Sequence, residues 1–130
     1  DLIKQTENAI NKLLQRGFDA KDIVVLSGRG RQRSQLLALE TLGQYRLQHF
    51  TGKYTVDGDP IWNEGEILVD SIYRFKGRSA AAVIISELDF SELTLVEKRK
   101  LFVGITRAQM SLSFVLTKQA EAVLAALVDN

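Results

Sequence analysis

Ala82-Val83-Ile84-Ile85-Ser86-Glu87 is the stretch whose reading decides the fold. Its apolar residues are consecutive, not alternating. A strand of that kind has no solvent face, which is the habit of parallel sheets covered by helices on both sides. Asp22-Ile23-Val24-Val25-Leu26-Ser27 and Ile67-Leu68-Val69-Asp70-Ser71-Ile72-Tyr73 read the same way. Leu47 to Thr51 and Leu112 to Thr117 add two further strands.

Helical spacing separates these runs. Leu2, Ile3, Ala9, Ile10, Leu13 and Leu14 share one face of a helix from Leu2 to Arg16, and Gly17 stops it. Leu36, Leu37, Leu39 and Leu42 predict a second helix from Ser34 to Leu42, ended by Gly43. Leu93 to Met110 and Gln119 to Val128 complete the set. Tyr54-Thr55-Val56, Asp57-Gly58-Asp59-Pro60 and Ile61-Trp62 predict a β-hairpin turned on Asp-Gly. Strands alternating with helices make an α/β domain with a mostly parallel sheet, plus a hairpin excursion near 54–62.

The bulk numbers agree with one domain. The chain has 130 residues, 45% hydrophobic and 25% charged, as globular domains do. There is no cysteine, which removes disulfides, thiolate catalysis and cysteine-bound metals, and fits a cytoplasmic setting. His49 is the single histidine and is expected to be structural or solvent-facing. Lys and Arg total 17 against 16 Asp and Glu, a net charge of +1. Any contact with nucleic acid must therefore come from a local patch. The longest apolar runs, Ala80 to Ile85 and Ala122 to Val128, fall short of the ~18 residues of a membrane span. No secretory signal pattern opens the chain. The first residue is Asp1, so a piece of a longer protein is expected.

Five segments carry possible chemistry. Ser27-Gly28-Arg29-Gly30-Arg31-Gln32-Arg33 follows a strand, where a phosphate loop would sit. It has Arg33 where a dinucleotide fingerprint needs its third glycine, so it reads as a basic turn or a backbone contact through Arg29, Arg31 or Arg33. Gly52-Lys53-Tyr54 fails the P-loop pattern, which needs Ser or Thr after the lysine. Val83 to Asp89 resembles a magnesium-binding strand end, but without a P-loop its acids are expected to be local and structural. Ser71-Ile72-Tyr73-Arg74-Phe75-Lys76-Gly77-Arg78-Ser79-Ala80 places a hydroxyl, aromatics, cations and a glycine in one connection. Hydroxyls and cations grip phosphates, aromatics stack on bases, and glycine lets a backbone come close. In Glu97-Lys98-Arg99-Lys100-Leu101-Phe102-Val103-Gly104-Ile105-Thr106-Arg107-Ala108, the residues Leu101, Phe102, Ile105 and Ala108 fall on one helical stripe expected to pack on the sheet, with Arg107 off it. Gly104 inside a helix costs ~1 kcal/mol against alanine, so something must need the close approach.

The last two segments resemble motifs V and VI of superfamily 1 DNA helicases of the UvrD/Rep kind. Val103 to Ala108 resembles motif VI without a change. The strand at Asp22 to Leu26, with its arginine-bearing turn, is similar to the family's early strand. The resemblance covers nearly all of residues 1–130 and implies a three-layer RecA-like fold, the second motor domain (2A), as a fragment of a larger enzyme. It implies an ATP site, with Mg²⁺, shared with an N-terminal RecA-like domain that carries the P-loop. Arg107 would be the arginine finger, positioned by Thr106. Lys76, Gly77, Ser79 and Gly104 would complete this side of the nucleotide site. Ser71, Tyr73, Arg74 and Arg29 would meet single-stranded DNA or a DNA junction. The chain departs from the family in two places: Tyr73 stands where His is usual, and Arg78-Ser79 where many members carry Leu-Glu. The isolated chain is expected to be inactive as an ATPase. The alternative is a RecA-like binding module for nucleic acid or protein, without turnover.

Overall fold

The computed structural model describes residues 1–29, 32–75 and 77–128. Its centre is a six-stranded sheet in the order β2-β3-β6-β1-β7-β8. These strands are β1 (Ile23–Ser27), β2 (Thr41–Leu42), β3 (Tyr45–Gln48), β6 (Ile67–Ser71), β7 (Ala80–Leu88) and β8 (Ala108–Leu116). β3, β6, β1, β7 and β8 run parallel, and β2 is an antiparallel edge on β3. A separate two-stranded hairpin, β4 (Phe50–Tyr54) and β5 (Pro60–Trp62), leaves the domain between β3 and β6.

Alternation across the pleat divides the core in two. Val25, Val69, Ala82, Ile84 and Val115 face α1 (Leu2–Gln15), which buries Ile10 and Leu13. Val24, Leu26, Val83, Ile85 and Leu88 face the other side, with Leu101 of α2 (Leu95–Ile105) and Ala120 of α3 (Lys118–Val128). The central strand β1 is buried along its whole length, as its unbroken apolar pattern requires. Each fully buried Ile or Leu contributes about 1.5–3 kcal/mol. The result is a three-layer, RecA-like α/β arrangement.

Three elements differ from the sequence expectation. No helix spans 34–42. A single 3₁₀ turn at Leu36–Ala38 is followed by β2. Ser34 Oγ accepts from Leu37 N, and Glu87 accepts from Gln35 N at 2.8 Å. These are first-turn amides, as at a helix start, but the chain becomes extended at Leu39 (φ −89°, ψ 143°), so no second turn forms. Leu42 instead pairs with Tyr45 across a turn at Gly43, φ +60°. The run at 47–51 breaks at His49 into β3 and β4, so the hairpin starts at Phe50 and not at Tyr54. Finally, the helix expected to reach Met110 ends at Ile105, and β8 begins at Ala108. The supposed stripe is not one face. Leu101 and Gly104 are buried, whereas Phe102 is 68% and Ile105 44% exposed.

Candidate functional site

Val103 to Ala108 turns from helix to strand. Thr94 caps the start of α2 by accepting from Glu97 N. Gly104 lies over Ile85, where a Cβ would fall well inside contact distance of Cδ1. That close approach sets the end of α2 on the sheet. Thr106 Oγ1 then donates to Val103 O at 2.8 Å, and Arg107 N to Gly104 O at 3.1 Å. Arg107 O accepts from Ala80 N at 3.0 Å, which joins this turn to the start of β7.

Arg107 therefore stands at the edge of the sheet where the parallel strands begin. Its Nη1 points to Arg78 O at 3.5 Å, and its Nε is buried with no hydrogen-bond partner among the described residues. No carboxylate pairs with it among those residues. Beside it, Gln109 Nε2 donates to Ser79 Oγ at 2.9 Å. Gly77 takes φ +81°, and nothing crowds the place of its missing Cβ. A groove of about 450 Å³ opens here, with Arg78, Ser79 and Gln109 among its walls. Gly77, Ser79, Thr106 and Arg107 thus fall at one edge. Gly104 lies beneath them in a packing position, and Lys76 is outside the described residues.

The other nominated residues gather at the opposite edge, where the strands end. Ser71 closes β6, and its Oγ accepts from Arg74 N at 3.1 Å. Arg74 stacks on Phe50, 3.5 Å from the ring centroid, and lies 3.9 Å from Asp70 Oδ1. Tyr73 is 52% exposed. Ile72 and Phe75 sink into the core and pin the connection between the two edges.

Arg29 is committed elsewhere. It donates to Asp89 Oδ2 at 3.0 and 2.6 Å and to Glu87 Oε2 at 3.3 Å. Glu87 is 1% exposed, at φ +60°, and accepts also from Ser27 Oγ at 2.6 Å, from Ser34 Oγ and from Gln35 N. The strand-end acids thus clasp the turn after β1. Gly30 and Arg31 of that turn lie outside the described residues.

The comparison with protein families falls on the stretch that links both edges. Residues 66–115 match the family model described as UvrD-like helicase C-terminal domain. The match spans 50 of the 130 residues and is a similarity of that stretch. The matched stretch runs from β6 into β8 and includes both Ser71 to Ala80 and Val103 to Ala108. No curated protein matches the chain. No helix among the described residues is long and apolar enough to cross a membrane.

Sequence reasoning missed several contributors. Gln109 holds Ser79, but a lone glutamine after motif VI gives no signal by itself. Phe50 and Trp62 lie under Arg74, and Trp62 also under Arg78. Their signal was present, since aromatic residues flank the Asp57-Gly58 turn on both sides, but the sequence did not say what those rings would meet.

Proposed function

We propose that this chain is the second motor domain (2A, residues 1–130) of an ATP-dependent DNA helicase or translocase. In this reading Arg107 is the arginine finger of an ATP–Mg²⁺ site shared with a P-loop domain of the same protein. One observation carries it: Arg107 is fixed at both its backbone ends yet keeps its charge uncompensated by any described carboxylate. A guanidinium presents a rigid fork of donors that suits phosphate oxygens. Held beside the transferred phosphoryl group, it neutralises charge as the transition state develops. Thr106 sets the turn that aims it. Ser79, held by Gln109, offers a hydroxyl at the nucleotide's sugar, and Gly77 with Lys76 lines the domain interface. The magnesium carboxylates and the phosphate-cradling loop belong to the partner domain. Ser71, Tyr73 and Arg74 meet single-stranded DNA at the opposite edge. Arg29 could join them only in competition with Glu87 and Asp89.

The test is Arg107→Ala in the full-length protein. Hydrolysis should fall about 10³-fold, with a much smaller loss in nucleotide affinity. Unchanged turnover would sink the assignment and leave a RecA-like binding module.

A further inference from the structure

The β4–β5 hairpin is not absorbed by the motor reading, yet it is built into the motif V connection. Arg74 lies 3.5 Å over Phe50 and 6.0 Å from the centroid of Trp62. Arg78 sits 5.8 Å from Trp62 and 5.0 Å from Phe75. The rings themselves interlock edge to face, Phe50 with Tyr54 at 5.3 Å and Phe50 with Trp62 at 6.0 Å. Such pairs hold their rings in fixed planes. Phe50 is buried beneath, while Tyr54 remains 57% exposed.

A small pocket of about 120 Å³ opens at the base of this cluster. His49, Phe50 and Thr51 line one side, and Asp70, Ser71 and Arg74 the other. Ser71 Oγ already accepts from Arg74 N, so its hydroxyl hydrogen remains available to an acceptor. His49 Nδ1 faces Phe50 O at 3.3 Å, which leaves Nε2 for a ligand. Charge gives the surface a direction. Arg74 and Arg78 stand at its base, where the Asp70 carboxylate lies 3.9 Å from Arg74 and offsets part of that charge, whereas Asp57 and Asp59 occupy the turn at its tip. A polyanion is drawn to the base and repelled from the tip.

We propose that the hairpin and the motif V connection form one site for single-stranded DNA. A backbone phosphate enters the pocket at His49, Ser71 and Arg74, and neighbouring bases stack on Tyr54 and Trp62. Stacked rings beside a basic groove are how proteins hold single strands without reading sequence. The inference deepens the motor reading by adding His49, Tyr54 and Trp62 to the nucleic-acid contact. It is separable from the Arg107 assignment, which concerns the other edge of the sheet and is read by hydrolysis.

Trp62 is the chain's single tryptophan, so its emission reports this site alone. The chain is titrated with a short oligothymidylate while Trp62 emission is followed. The anisotropy of a fluorescein-labelled copy is followed in parallel. Emission should be quenched over the concentrations that raise anisotropy, and duplex DNA of equal length should bind more weakly. Tyr54→Ala should weaken binding about tenfold, because each stacked base contributes that order of affinity. Arg74→Lys, which keeps the charge but loses the planar stack, should also weaken it, while Asp57→Asn should not. Circular dichroism checks that each variant is folded. Binding without a change in Trp62 emission, equal affinity for duplex, or no binding at all would overturn the proposal.

Discussion

Arg29 and Arg107 differ in what meets their guanidinium groups. Arg29 is held by Asp89 and Glu87, whereas Arg107 has a single long contact to the Arg78 carbonyl. The first arginine is part of a clasp, and the second has no carboxylate partner among the described residues. Glu87 is the centre of the clasp. It holds a left-handed backbone, φ +60°, which costs an L side chain about 1–2 kcal/mol. It persists there because Ser27, Ser34, Gln35 and Arg29 all donate to its carboxylate. Removing the acceptor strands buried donors and weakens a largely buried ion pair. Glu87→Ala should therefore lower stability by about 3 kcal/mol in urea denaturation. Glu87→Gly loses the same acceptors but relaxes the backbone, so it should be less damaging than alanine by about 1 kcal/mol. The usual order, in which glycine is the worse substitute, would contradict this account of the strain.

At the scale of elements, α2 is placed by the absence of a side chain. Gly104 brings the helix onto Ile85, and the turn that follows delivers Arg107 to the sheet edge. Gly104→Ala would gain about 1 kcal/mol of helix propensity but would press on Ile85, at about 1–3 kcal/mol. Ile85→Val removes the Cδ1 that blocks the new methyl. The double variant should consequently be more stable than the sum of the single effects by about 1 kcal/mol, and strict additivity would show that the contact does not set the helix position. The same element shows what was legible in the sequence. The buried strands were plain because consecutive Val and Ile residues leave no other home. Gly104 was legible as a close approach, but the helix boundary was not. Phe102 and Ile105 looked like core at helical spacing, and only the glycine facing Ile85 turns them outward. Ser34 to Leu42 failed for a different reason. The chain leaves its single 3₁₀ turn at Leu39 and pairs Thr41 and Leu42 with Arg46 and Tyr45, and helical spacing of leucines gives no sign of that pairing. The placement of Arg29 depends on Glu87 and Asp89, which are distant in sequence.

Over the whole molecule the two candidate edges sit at opposite ends of one parallel sheet, joined by the connection from Ser71 to Ala80. Ile72 and Phe75 anchor that connection in the core, so a ligand at either end bears on a segment with little slack. The charge distribution fits this division. With a net charge of +1, the chain casts no broad positive field. Affinity for a polyanion must then come from the few cations that touch it. Arg74 and Arg78 border the hairpin, and Lys53 lies on β4. Each phosphate neutralised on a single strand contributes a slope of about −0.7 to log K against log salt. Three such contacts give a slope of about −2, which oligothymidylate titrations between low and moderate salt would measure. Arg78→Ala should reduce its magnitude by about one contact's share. A steep slope, several times larger, would mean that the strand follows a long basic track elsewhere on the chain. A slope near zero would mean that stacking holds the strand with no phosphate in the Ser71–Arg74 pocket.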